Sequence, residues 1–162
     1  MSEAICNTSP LQYLHQLDRL ELLPRLLGQV IVPPAVVQEI AVGRSQGMAV
    51  PDLAALAWVR VETPARVPEE LVIDRNLGSG ERGVLALGVA RPDCLLVLDD
   101  ARARLTAVRL KLRLIGTLGI LRLARQAGFI TQLRPDFDRL DSIGFCYARA
   151  LRTGLLREFN EL

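Results

Sequence analysis

Cysteine, histidine and aromatic residues are scarce in this 162-residue chain, and their scarcity narrows the possible classes of protein. The three cysteines lie far apart and form no Cys-x-x-Cys pair, so we expect free thiols in a reducing compartment. Aromatic residues make up only 4% of the chain, whereas hydrophobic residues make up 50%. This balance favours one α/β domain with an aliphatic core over an all-β sandwich.

Long apolar runs are also missing. No run approaches the ~18 residues that a membrane-spanning helix requires. The first four residues lack the basic region that opens a secretory leader. Together with the expected free thiols, these absences predict a soluble, cytoplasmic protein without a membrane segment.

Acidic residues are absent from residues 101–135, although the formal net charge of the whole chain is only +2. The basic residues of this segment are Arg102, Arg104, Arg109, Lys111, Arg113, Arg122, Arg125 and Arg134. A basic segment that follows a pair of carboxylates suits a phosphate-bearing partner. An ordinary solvated helix face accounts for the same charges, so both interpretations stay open.

The carboxylate pair is Asp99 and Asp100, and it directly follows the aliphatic run 95–98. Four consecutive aliphatic residues cannot alternate between two faces, so they predict a short strand buried on both sides. The carboxyl ends of parallel strands hold the ligands of open α/β sheets, which places both acids at a crevice. An alternative role for one of them is to N-cap the helix expected to begin at Ala101.

Strands and helices alternate along the whole chain, which predicts a parallel sheet with helices on both faces. The other expected strands are Ala4–Cys6, Val30–Val32, an edge strand at 58–61 and Leu114–Ile115. Helices are expected within 8–27, within 33–40 with Glu39 near the C-terminal end, and at 52–57, 78–90, 101–112 and 118–127. One or two more helices, broken around Gly144 and Gly154, are expected in 135–162.

Residues 78–83 spell G-x-G-x-x-G, and the acid pair follows about twenty residues later, as in a dinucleotide site. However, three residues separate the strand-like stretch 71–73 from the segment that carries the first glycine, so the tight strand-to-helix turn is missing. Glu81 would also face the pyrophosphate. Dinucleotide binding is therefore disfavoured. A phospho-acceptor receiver domain is excluded by order, because its acid pair belongs at the first strand, which here ends in Asn7.

The remaining polar constellation consists of Asn7, Glu39, Glu81, Asp99 and Asp100. In a parallel sheet, Asn7 and the acid pair share one edge, while Glu81 lies in the first turn of the helix that leads to the central strand. Oxygen ligands without histidine or cysteine select hard ions such as Mg²⁺ or Mn²⁺. Such ions among carboxylates fit metal-assisted phosphodiester hydrolysis.

Five segments, taken in order, resemble the PIN domain, and most of all a branch close to the VapC-type toxins. They are residues 5–11, 34–39, 78–81, 98–102 and 115–119, and the last is the most specific to that branch. The resemblance spans about residues 5–128. It implies a five-stranded parallel sheet, an Mg²⁺- or Mn²⁺-dependent ribonuclease, a homodimer and a small antitoxin partner.

The resemblance also implies roles for single residues. The first three acidic positions of the family fall on Asn7, Glu39 and Glu81, and the fourth falls on Asp100 or Asp99. Glu39, Glu81, Asp99 and Asp100 are then the acids of catalysis, with Asn7 as an additional metal ligand. The polar groups around them are Thr8 and Thr117. Asn7 departs from the family pattern, because its amide oxygen can touch a metal but brings no charge.

The sequence therefore predicts a single PIN-like domain over residues 1–162, with its motifs in about 4–128 and a helical tail in 129–162. We expect a metal-dependent endoribonuclease, acting as the toxin of a toxin–antitoxin pair, with Arg102 and Arg104 on RNA phosphates because the guanidinium fork suits them. The alternative is a catalytically impaired RNA- or protein-binding module that kept the fold and lost the metal with the first acid.

Overall fold

The computed structural model describes residues 3–162 of the chain. Five strands of this part form one sheet in the order β3-β2-β1-β4-β5, and every neighbouring pair is parallel. Their bounds are β1 Ala4–Cys6, β2 Val30–Val32, β3 Val59–Val61, β4 Leu95–Val97 and β5 Leu114–Ile115. The predicted α/β fold with a five-stranded parallel sheet is confirmed.

The strands form where the sequence offers short aliphatic runs. All residues of β1 and β2 are fully buried, as expected for strands that are covered on both faces. The edge strand β3 differs, since Val61 is exposed and Arg60 lies between two valines. The predicted edge position of this strand is confirmed.

Helices connect the strands. Their bounds are α1 Thr8–Gln16, α2 Leu22–Leu27, α3 Pro34–Ser45, α4 Glu69–Ile73, α5 Ser79–Ala90, α6 Ala101–Arg109, α7 Thr117–Gln126, α8 Arg134–Ser142 and α9 Arg149–Glu158, with one 3-10 turn at Leu53–Ala55. The chain first runs from β1 to β3 and then returns to β4 and β5. Because crossovers between parallel strands are right-handed as a rule, these opposite directions place helices on both faces of the sheet. Within residues 3–162, no helix is long and apolar enough to cross a membrane.

The position of Glu39 differs from the expectation. Helix α3 continues to Ser45, so Glu39 lies in the middle of the helix and not near its C-terminal end. Gly43 does not stop the helix, because it is buried and a Cβ built there would lie in ordinary contact with Met48 and Val50. Because Glu39 lies away from the helix end, it needs no cation to offset an unfavourable helix dipole.

Two further expectations about local structure were wrong. Residues 71–73 are helical, because α4 starts after Pro68 with Glu69 and Glu70 in a first turn that favours acids, while Leu71 is buried. Gly154 does not break the last helix but lies inside α9, where burial of the neighbouring Leu155 outweighs the weak helix propensity of glycine.

The order of the strands reverses between β1 and β4, and this point positions the functional site. Cys6 pairs with Val97 in register, and the Asn7 amide donates to the Val97 carbonyl at 3.1 Å. The polar residues that follow the two strands therefore emerge side by side. Such a switch point opens a crevice at the carboxyl edge of the sheet.

Candidate functional site

Asn7 follows β1 directly and forms the floor of the crevice. The residue is only 2% exposed, and its Oδ1 is buried with no hydrogen-bond partner within residues 3–162. Leaving a buried acceptor unsatisfied costs about 1–3 kcal/mol. Such an atom marks a place where a donor or a cation is missing.

Glu39 reaches the same crevice from the middle of α3. Thr8 Oγ1 donates a short hydrogen bond to Glu39 Oε2, and the amide of Gly80 donates to Oε1 at 2.9 Å. Ser79 Oγ lies 3.3 Å from the same Oε1 as a further donor. These three groups hold the carboxylate between the start of α1 and the first turn of α5.

Gly80 is the point on which the oxygens of Asn7 and Glu39 converge. A Cβ built on Gly80 would lie 2.7 and 2.8 Å from the two carboxylate oxygens of Glu39 and 2.9 Å from Asn7 Oδ1. Any other residue would push these oxygens apart. The glycine therefore creates a small space with oxygen atoms of two side chains around it.

Glu81 lies next to this space, in the first turn of α5, with its carboxylate turned back towards Gly78. Burial raises the pKa of Glu81, and the negative charges of Glu39 and Asp100 raise it further. A backbone hydrogen bond and the Arg82 charge oppose this shift. The site thus concentrates negative charge around Glu81, which a bound cation would relieve.

Asp100 and Asp99 point to different parts of the site. Asp100 is exposed, and its Oδ1 accepts a hydrogen bond from the Ala103 amide at 2.8 Å. Asp100 therefore N-caps α6, the alternative role that the sequence left open for one acid of the pair. Asp99 accepts from the Thr117 amide at 2.8 Å and from Thr117 Oγ1 at 2.6 Å. Asp100 is close enough to Glu81 for its charge to raise the Glu81 pKa, whereas Asp99 ties β4 to the start of α7.

The environment of Asp99 is partly buried. Burial raises the pKa of the Asp99 carboxyl, although the hydrogen bonds from Thr117 and the charge of Arg104 act in the opposite direction. A Cβ built on Gly116 would lie 2.7 Å from Arg104 Nη1 and 3.0 Å from Asp99 Oδ1. The predicted polar groups Thr8 and Thr117 thus hold one carboxylate each, Glu39 and Asp99.

The two arginines expected on RNA also have partners within the chain. Arg102 Nη2 lies 2.8 Å from Asp74 Oδ2, and Arg104 Nη1 donates to the Leu98 carbonyl at 2.9 Å. Further along the basic segment, Arg122 pairs with Glu158 of α9 at 2.7 Å. The helical tail therefore offsets part of the positive charge that the sequence alone left unbalanced.

Sequence reasoning missed three residues of the site, namely Ser79, Gly80 and Arg82. Arg82 donates to the carbonyls of Leu71 at 2.8 Å and Leu77 at 3.0 Å, which fixes the loop before α5. The sequence signal that could have identified them is the Gly-Ser-Gly-Glu run at 78–81, in which Gly80 directly precedes the candidate ligand Glu81. The same glycines do not form a dinucleotide turn, because α4 and not a strand precedes them.

The donor set fits a hard divalent cation with few charged ligands. Within residues 3–162, no three acidic, histidine or cysteine side chains converge as a metal site would require. The convergent oxygens are instead those of Glu39 and the amide of Asn7, with Glu81 and Asp100 nearby. All of these donors are oxygens, and the orphaned Asn7 Oδ1 is the kind of acceptor that Mg²⁺ or Mn²⁺ satisfies.

Comparison with known proteins agrees with the fold. No curated protein matches the chain. A family model described as a PIN domain matches residues 3–161, which include every site residue named above. PIN domains generally use divalent metal ions, commonly bind RNA and have nuclease-type functions. Because the match covers nearly the whole sequence, the chain belongs to the PIN-domain family.

Proposed function

We propose that this PIN-domain protein is an endoribonuclease that depends on Mg²⁺ or Mn²⁺ and acts as the toxin of a toxin–antitoxin pair. The observation that carries the proposal is the convergence of Asn7 Oδ1 and both carboxylate oxygens of Glu39 at Gly80. A buried oxygen without a partner beside a carboxylate is a costly arrangement for the protein alone. A cation satisfies both groups at once.

In this proposal Asn7 and Glu39, whose oxygens converge at Gly80, hold the ion, and Glu81 and Asp100 complete the ligand set once their carboxylates turn towards it. When bound, the ion makes water more acidic and stabilises the leaving oxygen of a phosphodiester. Thr8, Ser79 and the Gly80 amide orient Glu39, so that its carboxylate is preorganised.

The Asp99–Thr117 pair has a positioning role in the proposed site. Its two hydrogen bonds fix the turn after β4 against α7, and this turn carries Asp100. Of the two adjacent acids, Asp99 is thus proposed to position the turn after β4, and Asp100 is proposed to bind the ion.

RNA is the proposed substrate, and Arg102 and Arg104 are the proposed phosphate contacts beside the acids. Both guanidinium groups lie on α6, the helix that Asp100 caps. Each is held by a partner, Asp74 or the Leu98 carbonyl, so little side-chain entropy is lost when a phosphate binds.

The proposal includes a small antitoxin, a homodimer and a location in the cytoplasm. Support for a protein partner comes from Leu105 and Val108 on the outer face of α6, which are 67% and 63% exposed. Neighbouring exposed apolar side chains mark interaction surfaces more often than isolated ones do. The cytoplasmic location is supported by three free cysteines.

An RNA cleavage assay with and without divalent metal tests the proposed activity. We expect cleavage with Mn²⁺ or Mg²⁺, none with EDTA, and a loss of at least about 100-fold in Glu39→Gln, since catalytic electrostatics of this kind are worth that much. Glu69→Gln makes the same chemical change on α4 and should retain full activity. Equal cleavage in EDTA would contradict the metal-dependent mechanism.

The alternative is an RNA-binding module without catalysis, and two observations favour it. Asn7 brings no charge to the crevice, and one oxygen of Asp100 already serves as a helix cap. Calorimetry with Mn²⁺ separates the two functions. The enzyme should bind the ion, whereas a module that lost its metal should bind RNA equally well in EDTA and show no heat of Mn²⁺ binding.

A further inference from the structure

A cavity of about 400 Å³ lies beside the proposed metal site and is lined by Asp99, the neighbour of the proposed ligand Asp100, and by Gly116. It is formed between the start of α7 and the segment that joins α8 to α9. Its apolar walls include Leu118 and Leu151. The volume lies within the range of about 300–1,000 Å³ that is typical of sites for small molecules.

Two aromatic rings close one side of this cavity. Phe145 and Tyr147 have ring centroids 5.6 Å apart, and together with Cys146 they also line a second cavity, of about 740 Å³. Phe145 packs edge-on against Tyr13 at 4.8 Å, and Tyr147 donates to Asp141 at 2.7 Å. The rings are therefore held in place before any ligand arrives.

Two guanidinium groups supply the polar side of the cavity. Arg122 is held by Glu158 through several hydrogen bonds, the shortest 2.7 Å long. Arg104 lies over Gly116, where a Cβ would come within 2.7 Å of its Nη1. Because Arg104 also neighbours Asp99, its guanidinium lies at the junction between the cavity and the acids of the site.

We propose that this cavity binds one unstacked base of the RNA, with the adjoining phosphate at Arg104. The inference deepens the proposed ribonuclease function and rests on it for the identity of the ligand. Single-stranded RNA is recognised by stacking of its bases on aromatic side chains or guanidinium planes, and guanidinium groups pair with its phosphates. The cavity offers both kinds of group within one site.

The charges favour a nucleotide over an aromatic side chain of a protein partner. Arg104 and Arg122 line the cavity, while its one acidic lining residue within the described chain, Asp99, is occupied by Thr117. Arg122 already has Glu158 as its counter-charge, whereas Arg104 donates to the neutral Leu98 carbonyl, so an uncharged peptide side chain would bring Arg104 no anion. A nucleotide supplies a flat apolar base together with an anion.

Cys146 provides a direct test of occupancy. It lines the cavity and is exposed, whereas Cys6 and Cys94 are buried, so N-ethylmaleimide should label Cys146 selectively. We expect at least one of the four nucleoside 5′-monophosphates to slow labelling severalfold in EDTA. Ribose 5-phosphate carries the anion without the base and should protect much less. Cys146→Ser confirms the site of labelling.

A second measurement uses a substitution that fills the cavity. Leu151 lines it and is 48% exposed, so Leu151→Trp should fold and weaken nucleotide binding at least about tenfold by calorimetry. Val89→Trp makes a comparable change at the far end of α5 and should bind within about twofold of the parent. If Leu151→Trp has a much lower melting temperature than the parent, the parent protein labelled with N-ethylmaleimide at Cys146 is used in its place, and nucleotide binding should likewise be lost.

Three results would overturn this inference. The first is that no nucleotide protects Cys146 from N-ethylmaleimide, and the second is that ribose 5-phosphate protects it as well as the nucleotides do. The third is that N-acetyltryptophanamide protects it better than any nucleotide, which would assign the cavity to a protein partner. The assays contain neither RNA nor metal, so they do not depend on catalysis. A protein that cleaves RNA but fails these tests keeps the proposed function, and one that binds nucleotides but cleaves nothing loses only the proposed activity.

Discussion

Replacing Asn7 by aspartate should strengthen Mn²⁺ binding and weaken the metal-free fold at the same time. The new carboxylate would stand where Oδ1 is now buried without a partner, next to the oxygens of Glu39. Charge-assisted contacts are roughly twice as strong as neutral ones. We therefore expect Mn²⁺ to bind about tenfold more tightly, which corresponds to about 1.4 kcal/mol.

The cost to the metal-free protein follows from the same geometry. Asn7 is 2% exposed, so Asn7→Asp buries a charge near an existing carboxylate. We expect a loss of about 2 kcal/mol in the free energy of unfolding, within the range for an unsatisfied buried group. For a chain of this size, the melting temperature in EDTA should fall by about 4–8 °C. The loss is recovered as Mn²⁺ is added, because binding stabilises only the folded state.

Calorimetry and thermal melts, each with Mn²⁺ and with EDTA, measure the two effects. Asn160→Asp is the matched control, because Asn160 is exposed and lies in the C-terminal segment, so neither quantity should change. If Asn7→Asp lowers the melting temperature but leaves the Mn²⁺ affinity unchanged, Asn7 is buried but not a ligand. If neither quantity changes, Asn7 is not a ligand, and its burial does not penalise a negative charge at that position.

Three further predictions address other parts of the site. Asp100→Asn should abolish cleavage, yet the free energy of unfolding without metal should stay within about 0.5 kcal/mol, because asparagine caps a helix as well as aspartate does. A folded variant with normal cleavage would show that Asp100 is not part of the site. Gly80→Ala should abolish Mn²⁺ binding in calorimetry, because the new Cβ would displace the Glu39 and Asn7 oxygens. The control Gly154→Ala has open space around it, so it should bind Mn²⁺ normally and have a slightly higher melting temperature. Arg102→Gln should reduce the slope of log RNA affinity against log salt by about 0.7 in a filter-binding titration, and an unchanged slope would show that Arg102 serves only Asp74.

Local features of the fold could be predicted from the sequence alone. The strands Ala4–Cys6, Val30–Val32 and Leu114–Ile115 have the predicted bounds. The helical run after β1 ends at Gly28, which has a φ of 75°. A strand that is buried on both faces appears in the sequence as an unbroken apolar run, and a helix end with a positive φ appears as a glycine. Both features can be recognised from a few consecutive residues. The Asp100 cap is equally local, since it joins residues three positions apart.

The side-chain arrangement of the site could not be predicted in this way. Glu39 meets the Gly80 amide across 41 positions of the chain, and nothing near Glu39 in the sequence indicates that contact. The expectation that Glu39 lies near the C-terminal end of its helix failed because α3 continues past the buried Gly43 to Ser45. Likewise, the choice between Asp99 and Asp100 depended on Thr117, which β5 and the start of α7 bring to Asp99.

Near neighbours in the sequence were enough to locate the five strands, the polar side chains that follow them and the family they resemble, because these properties depend on short segments and on the period of the backbone. Tertiary structure alone decided which oxygens converge on Gly80, that Asn7 Oδ1 has no protein partner within the described chain, and that α9 brings Glu158 to Arg122. These outcomes depend on the packing of segments that are distant in sequence. Their energies arise from burial and short-range contacts that exist only after the helices have packed against the sheet.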